Sequence, residues 1–275
     1  MIRLIAMDLD GTLLDDTKRI PAVNRQAIDE ARKKGVQIVL CSGRSGKSMD
    51  RYVKELDLDH PGEYWIASNG ACIYEGDRKD PWSVCYLPDG AVSALVQIGR
   101  EYSEYVNPHL YAGDQFLVER YLPCTQRYER LSGSQCTCVP SLDPYIHTPM
   151  YKMLYNNLGE LDQLIWVQKQ IENRLPQDVQ MFRSSDYLLE FVHKDAGKWN
   201  AVLKLASFLS IQKNEILCIG DHENDKEMVQ NAYLGATPSN GISMLREAAD
   251  YVSELDNNQG AVADIFHFAK NQGIF

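Results

Sequence analysis

Short apolar runs alternate with amphipathic stretches at both ends of this 275-residue chain, and that alternation most restricts its fold. Ile2 to Asp8 reads as a strand apolar on both faces, the pattern of a parallel sheet covered by helices. Pro21 to Lys34 reads as a helix: Val23, Ala27 and Ala31 share a face, Lys33 and Lys34 suit its C-terminus, and Gly35 ends it. Val36 to Cys41 is a second buried strand, Met49, Tyr52, Val53 and Leu56 mark an amphipathic helix, and Tyr64 to Ser68 is a third strand. From about Val84 to Tyr187 the alternation breaks, with strand-like runs "QFLVER" and "YKMLYN" beside a helix from Leu161 to Arg174. It then resumes: a helix from Lys198 to Phe208, the strand "EILCIG", a helix start at Asp225 to Asn231, short strands "YLGA" and "DYVS", and a final helix. The expectation is an α/β fold, a doubly wound (Rossmann-like) parallel-sheet core carrying an inserted α+β cap domain. Residues 1–83 and 188–275 are assigned to the core and 84–187 to the insertion.

In an open parallel sheet, ligands bind beyond the carboxyl ends of the strands. Four such ends carry polar signals: Asp8 and Asp10; Ser42, Gly43 and Arg44; Ser68, Asn69 and Gly70; Asp221, Asn224 and Asp225. The sheet would gather them at one edge, with the insertion over them as a lid. Two carboxylates such as Asp8 and Asp221 at ~4 Å would repel by roughly 4 kcal/mol at an effective dielectric of about 20, or about three pK units. One would take up a proton unless a divalent ion were present. Carboxylate oxygens with waters and a phosphate suit Mg²⁺. Period two puts Asp8 and Asp10 on the same side, so one carboxylate can attack while the other handles protons. Gly11 permits the turn that follows.

Lys plus Arg is 28 and Asp plus Glu 38, a net charge of −10, which disfavours nucleic acid and anionic membranes as partners. An anionic substrate would then need positive potential made locally. No apolar run is long enough to span a membrane. Asp8 and Asp10 interrupt the stretch a signal peptide would need, and seven scattered cysteines suit a reducing compartment, so a cytoplasmic location is expected. Cys136 and Cys138 lack a second pair and read as ordinary thiols rather than metal ligands. Eight of the 15 tyrosines fall between Tyr102 and Tyr155, where rings could line a polyol or ring-bearing substrate, although half-buried strand positions account for most. His109, His147 and Arg120 are further cleft candidates that nothing in the sequence places there.

"MDLDGTLLDD", "IVLCSGR", "KDAGKWNAV" and "IGDHENDKEM" resemble, in order, the four motifs of the haloacid dehalogenase-like phosphohydrolases. "ASNGACIYE" and "AADYVS…QGAVADIF" resemble the Cof-type branch, whose cap lies between the second and third motifs. The resemblance implies a Mg²⁺-dependent phosphatase of small phosphorylated metabolites, sugar phosphates first and phosphorylated cofactors such as pyridoxal phosphate or flavin mononucleotide second. It implies Asp8 as nucleophile and metal ligand. Asp10 would be general acid/base, with its carbonyl on the metal, and Asp221 the other ligand. Ser42, Gly43 and the Leu9 N–H would hold the phosphoryl group. Lys198 would neutralise charge developing on it, Asn224 would contact it, and Asp225 would orient the surroundings. Arg44 and Asn69 are candidates for the leaving group. Trp199, in place of a common glycine, and Pro238, in the stretch that keeps Asn240, depart from the family pattern. A monomer or homodimer is expected.

Rivals fit less well. "CSGRSGKS" matches a P-loop at Gly46, Lys47 and Ser48 but has Cys41 at the first glycine position, leaving an NTPase as the enzymatic alternative. "HENDK" has Lys226 where a zinc hydrolase needs histidine and a calcium loop needs glycine. A non-catalytic phosphosugar-binding module would have no need of Asp8, Asp10 and Lys198 together.

Overall fold

The computed structural model describes residues 1–112 and 115–275. In chain order the first half holds β1 (Leu4–Met7), α1 (Ala22–Lys33), β2 (Gln37–Cys41), α2 (Gly46–Glu55), β3 (Tyr64–Ala67), β4 (Cys72–Glu75), β5 (Ser83–Val84), α3 (Ala91–Glu101), β6 (Val106–Ala112), β7 (Gln115–Val118), α4 (Pro123–Ser132) and β8 (Gln135–Cys138). There follow β9 (Met153–Asn157), α5 (Leu161–Ile171), β10 (Val179–Ser185), β11 (Leu188–His193), α6 (Lys198–Phe208), β12 (Ile216–Ile219), α7 (Lys226–Asn231), β13 (Leu234–Thr237), α8 (Ser243–Ala248), β14 (Tyr251–Val252) and α9 (Ala261–Asn271).

One sheet has the order β14-β13-β12-β1-β2-β3-β4-β5. Its strands are parallel from β14 to β3, and β4 and β5 add an antiparallel edge. Every β1 residue is fully buried, as a central strand covered on both faces requires. Side chains alternate between two cores. Ile5 and Met7 join Ile28, Met49 and Phe266 of α1, α2 and α9 on one face. Leu4 and Ala6 join Val202, Met228 and Leu245 of α6, α7 and α8 on the other. Trp199 packs in this second cluster, so its bulk is absorbed by the helix–sheet interface.

The inserted sheet has the order β10-β11-β9-β6-β7-β8 and is antiparallel except for β7–β8. Helices α3 and α5 cover one face, where Leu95, Leu164 and Val167 cluster with Phe191 of β11. The expected boundaries need two corrections. β5 pairs with β4, so residue 84 stays in the core sheet, and β11 pairs with β9 and β10, so residues 188–193 belong to the insertion. Both shifts fall on antiparallel pairings, which βα alternation does not signal. Cys136 and Cys138 lie in β8, and all seven cysteines are free thiols.

Candidate active site

The carboxyl ends of β1, β2, β3 and β12 converge, as the alternation predicts. Asp8 follows β1 directly, its N–H donating to the Ile219 carbonyl at 3.0 Å across to β12. Asp221 follows β12, and its Oδ1 accepts from the Thr12 hydroxyl at 2.7 Å. Gly11 makes this approach possible: its φ is +82°, and a Cβ there would lie 2.4 Å from Asp221 Oδ2. Lys198, at the start of α6, donates at 2.6 Å to both Asp8 Oδ1 and Asp225 Oδ1. Asp225 Oδ2 accepts the backbone N–H groups of Asp221 and His222 at 3.0 and 3.1 Å. Both Asp225 oxygens are thus engaged, which leaves Asp8 and Asp221 as the carboxylates with an oxygen to offer.

Oxygens of Asp8, Asp221 and Asp225 lie within 4.8 Å of one another. Three carboxylates, those of Asp8 and Asp225 buried and that of Asp221 partly so, around one ammonium are an unbalanced negative charge. Burial first, then the charges of Asp225 and Asp10, push Asp8 up to about 7 against the opposing pull of Lys198. Burial and the Asp8 and Asp225 charges likewise push Asp221 well up. Burial alone would lower Lys198, but Asp225 and Asp8 override it and hold the ammonium charged. The oxygen-only donors, the excess charge and the space beside Gly11 fit a small hard cation such as Mg²⁺.

Asp10 is held differently. Arg44 donates to it from Nε at 2.6 Å and Nη2 at 2.8 Å, and Lys18 Nζ lies 2.7 Å away. Burial would raise this carboxyl, but the Arg44 bonds and the two positive charges keep it ionised, at about 2. The side chain of Asp10 is therefore outside the carboxylate cluster, although both Asp8 and Asp10 line the same cavity.

That cavity has a volume of about 490 Å³ and lies between the core strand ends and the insertion. Ser42, Gly43, Arg44 and Asn224 line it with Asp8, Asp10 and Asp221. Leu9 is buried, and its side chain belongs to the core. Asn240 also lines the cavity and donates to the Gly11 carbonyl at 2.8 Å, so Pro238 does not displace this asparagine from the first loop. One expectation for the leaving group is corrected, that for Asn69. Asn69 is fully buried outside the cavity lining, bonded to Glu190 and Asn224, whereas Arg44 lines the cavity with its guanidinium on Asp10. Of the cleft candidates, His109 is fully buried with its ring stacked on Phe116, Arg120 bonds the Ser103 and Val106 carbonyls, and His147 is exposed away from the cavity. Tyr128 lines the cavity, as does Tyr187. Lys47 is exposed on α2 and lies outside the cavity lining, which removes the P-loop reading of a phosphate held by that lysine.

Four contributors went unnoticed in the sequence: Thr12, Lys18, Lys152 and Glu190. Thr12 and Lys18 sit in an ordinary polar turn and carry no distinguishing pattern. Lys152 and Glu190 did carry one, a single charge beside or within an otherwise buried apolar run, "YKMLY" and "YLLEFV".

The model of the haloacid dehalogenase-like hydrolases matches residues 5–266. The Bacillus subtilis protein YxeH, provisionally named a phosphatase, is 32% identical over 97% of this chain and 98% of its own. The B. subtilis 5-amino-6-(5-phospho-D-ribitylamino)uracil phosphatase YwtE is 25% identical over 94% and 95%. A haloacid dehalogenase-like hydrolase from Bacteroides thetaiotaomicron superposes with a TM-score of 0.83 at 28% identity, covering 98% of this chain and 99% of that one. The chain belongs to the haloacid dehalogenase-like hydrolase family. Within that family it is an enzyme of the phosphatase type.

Proposed function

We propose that the enzyme hydrolyses small phosphate monoesters through an aspartyl-phosphate on Asp8, with Mg²⁺ as cofactor. The observation that carries this reading is the Asp8–Lys198–Asp225 arrangement beside Asp221: a buried carboxylate at a strand end, with a fixed ammonium at hydrogen-bond distance. Asp8 attacks phosphorus, the bond to the leaving oxygen breaks, and water then hydrolyses the acyl phosphate. Lys198 neutralises charge on the phosphoryl oxygens. Ser42, Gly43 and Asn224, with the Leu9 N–H, form the phosphoryl cradle. Held by Asp8, Asp221 and the Asp10 carbonyl, the metal would supply positive charge against the nucleophile and the phosphoryl oxygens.

Asp10 serves in proton transfer. The clamp by Arg44 and Lys18 keeps it in the ionised state required to take a proton from the attacking water. Giving a proton to the leaving oxygen in the first half-reaction requires that clamp to loosen as substrate enters.

The cavity chemistry narrows the leaving group. Its lining includes six carboxylates, Asp8, Asp10, Asp16, Asp186, Glu190 and Asp221. Its three cations, Lys18, Arg44 and Lys152, are each ion-paired. The insertion offers hydroxyls (Ser132, Ser184 and Ser185) and the rings of Tyr128 and Tyr187. A single phosphoryl on a neutral polyol fits; a second anion does not. The relative YwtE, named for a phosphoribityl substrate, agrees with that class. The test is a panel with Mg²⁺. Hexose and polyol monophosphates are expected to exceed bisphosphates and phosphorylated carboxylic acids in kcat/KM by at least about tenfold, one unfavourable charge contact being worth roughly 1–2 kcal/mol. Equal or better turnover of the doubly anionic compounds would refute the assignment. Phosphorylated cofactors are the second reading, which the ring-bearing Tyr128 and Tyr187 wall supports.

A further inference from the structure

The insertion reaches the phosphate end of the site through two buried charges. Lys152, just ahead of β9, and Glu190, in β11, have side chains only 1% and 3% exposed and pair at 2.7 Å. Neither bonds only within its own domain. Lys152 Nζ donates to the Gly43 carbonyl at 2.7 Å. Glu190 Oε2 accepts from Asn69 Nδ2 at 2.8 Å, and Oε1 accepts from the Ser184 hydroxyl. An ionised carboxylate only accepts, so Glu190 fixes which way the Asn69 amide faces. The Asn69 Oδ1 is then turned to Asn224, whose Nδ2 donates to it at 2.9 Å. A Cβ on Gly43 would stand 3.0 Å from that same Asn69 oxygen, so the second-motif loop lies directly against the relay.

The chain of contacts runs Gly43–Lys152–Glu190–Asn69–Asn224. Its middle pair comes from the insertion, and its two ends are groups of the phosphoryl cradle. A buried ion pair is poor evidence for stability, because desolvation offsets the attraction and an apolar pair of similar volume often serves as well. Its hydrogen bonds to two separate core loops are better explained by placement.

We propose that Lys152 and Glu190 are positioning residues for phosphoryl transfer, setting the Gly43 peptide and the Asn224 amide so that the cradle is complete only while the insertion is seated on the core. This rests on the phosphatase reading above.

The test compares the parent enzyme with the double variant Lys152→Met/Glu190→Gln, which removes both charges and so leaves neither buried alone. Three quantities are read: melting temperature, steady-state hydrolysis of p-nitrophenyl phosphate with Mg²⁺, and deuterium uptake by peptides covering residues 42–46 and 68–70. The proposal expects a melting temperature within a few degrees of the parent. It expects kcat lowered about 100-fold, the effect of misplacing reacting groups by about 1 Å, with KM changed much less. Deuterium uptake in both loops should be several-fold faster. A folded double variant with parental kcat, or with unchanged uptake in the two loops, would overturn it. The exchange measurement needs no substrate. If the parent failed to hydrolyse phosphate esters, the functional reading would fall while uptake still decided whether the pair holds the loops.

Discussion

The carboxyl of Asp8, the proposed nucleophile, is pushed up to about 7 from an ordinary 3.8. A raised carboxyl means that the folded chain holds this proton more tightly than the unfolded chain. Its contribution to stability is therefore full below about pH 4 and is lost as pH rises through 7. The proposed Mg²⁺ has to displace that proton, so its apparent affinity should rise by up to about tenfold per pH unit below 7. Thermal melts with and without Mg²⁺ at pH 5.5 and 8.0 check this: the metal-induced shift should be clearly larger at pH 8.0. Asp8→Asn should lower kcat by at least about 10³-fold, since the nucleophile is gone. It should nonetheless melt no lower than the parent at pH 8.0 without metal, because a buried negative charge has been replaced by an isosteric amide. Asp8, Asp10, Asp221 and Asp225 were legible because charged groups stood where apolar runs ended, whereas Lys198, at the start of α6, was singled out only through the motif resemblance. The partners of Asp10 were not. A single sequence shows that Arg44 and Lys18 are basic, but only the fold shows which carboxylate they face.

Elements bring these residues together, and close backbone contacts between elements set the tolerances. The turn after β3 places Gly70 against the N-terminus of α6, with φ at +88° and the Gly197 carbonyl only 2.1 Å from where a Cβ would stand. The Gly197 N–H donates to the Asn69 carbonyl at 3.0 Å across this contact, fixing the residue before Lys198. Gly70→Ala is expected to destabilise the fold by about 2–4 kcal/mol or more, through both the backbone conformation and the clash, as urea denaturation would measure. The parallel strands β1, β2, β3 and β12 could be read from the sequence because each is a short apolar run next to an amphipathic helix. The antiparallel edge β4–β5 and the hairpin β10–β11 escaped, since half-buried β5 and β10 alternate weakly and no helix separates the paired strands. That is why both insertion boundaries moved by a few residues.

On the scale of the whole molecule, a core that carries the carboxylate cluster is covered by an insertion that supplies hydroxyls, rings and the buried Lys152–Glu190 pair. The net charge of −10 makes the molecule repel the anions it acts on, so affinity has to come from the site itself. Composition indicated this requirement; the cavity shows that its own cations are ion-paired and that its spare charge is negative. Among the described residues no helix is long and apolar enough to cross a membrane. The account as a whole stands on a phosphoryl group passing through one side chain. Quenching the enzyme during turnover of a hexose monophosphate with Mg²⁺, reducing the acyl phosphate with borohydride and mapping the product by mass spectrometry tests this directly. The account predicts homoserine at position 8, dependent on both substrate and metal. Sustained turnover with residue 8 unmodified, or the phosphoryl group trapped on another side chain, would contradict it.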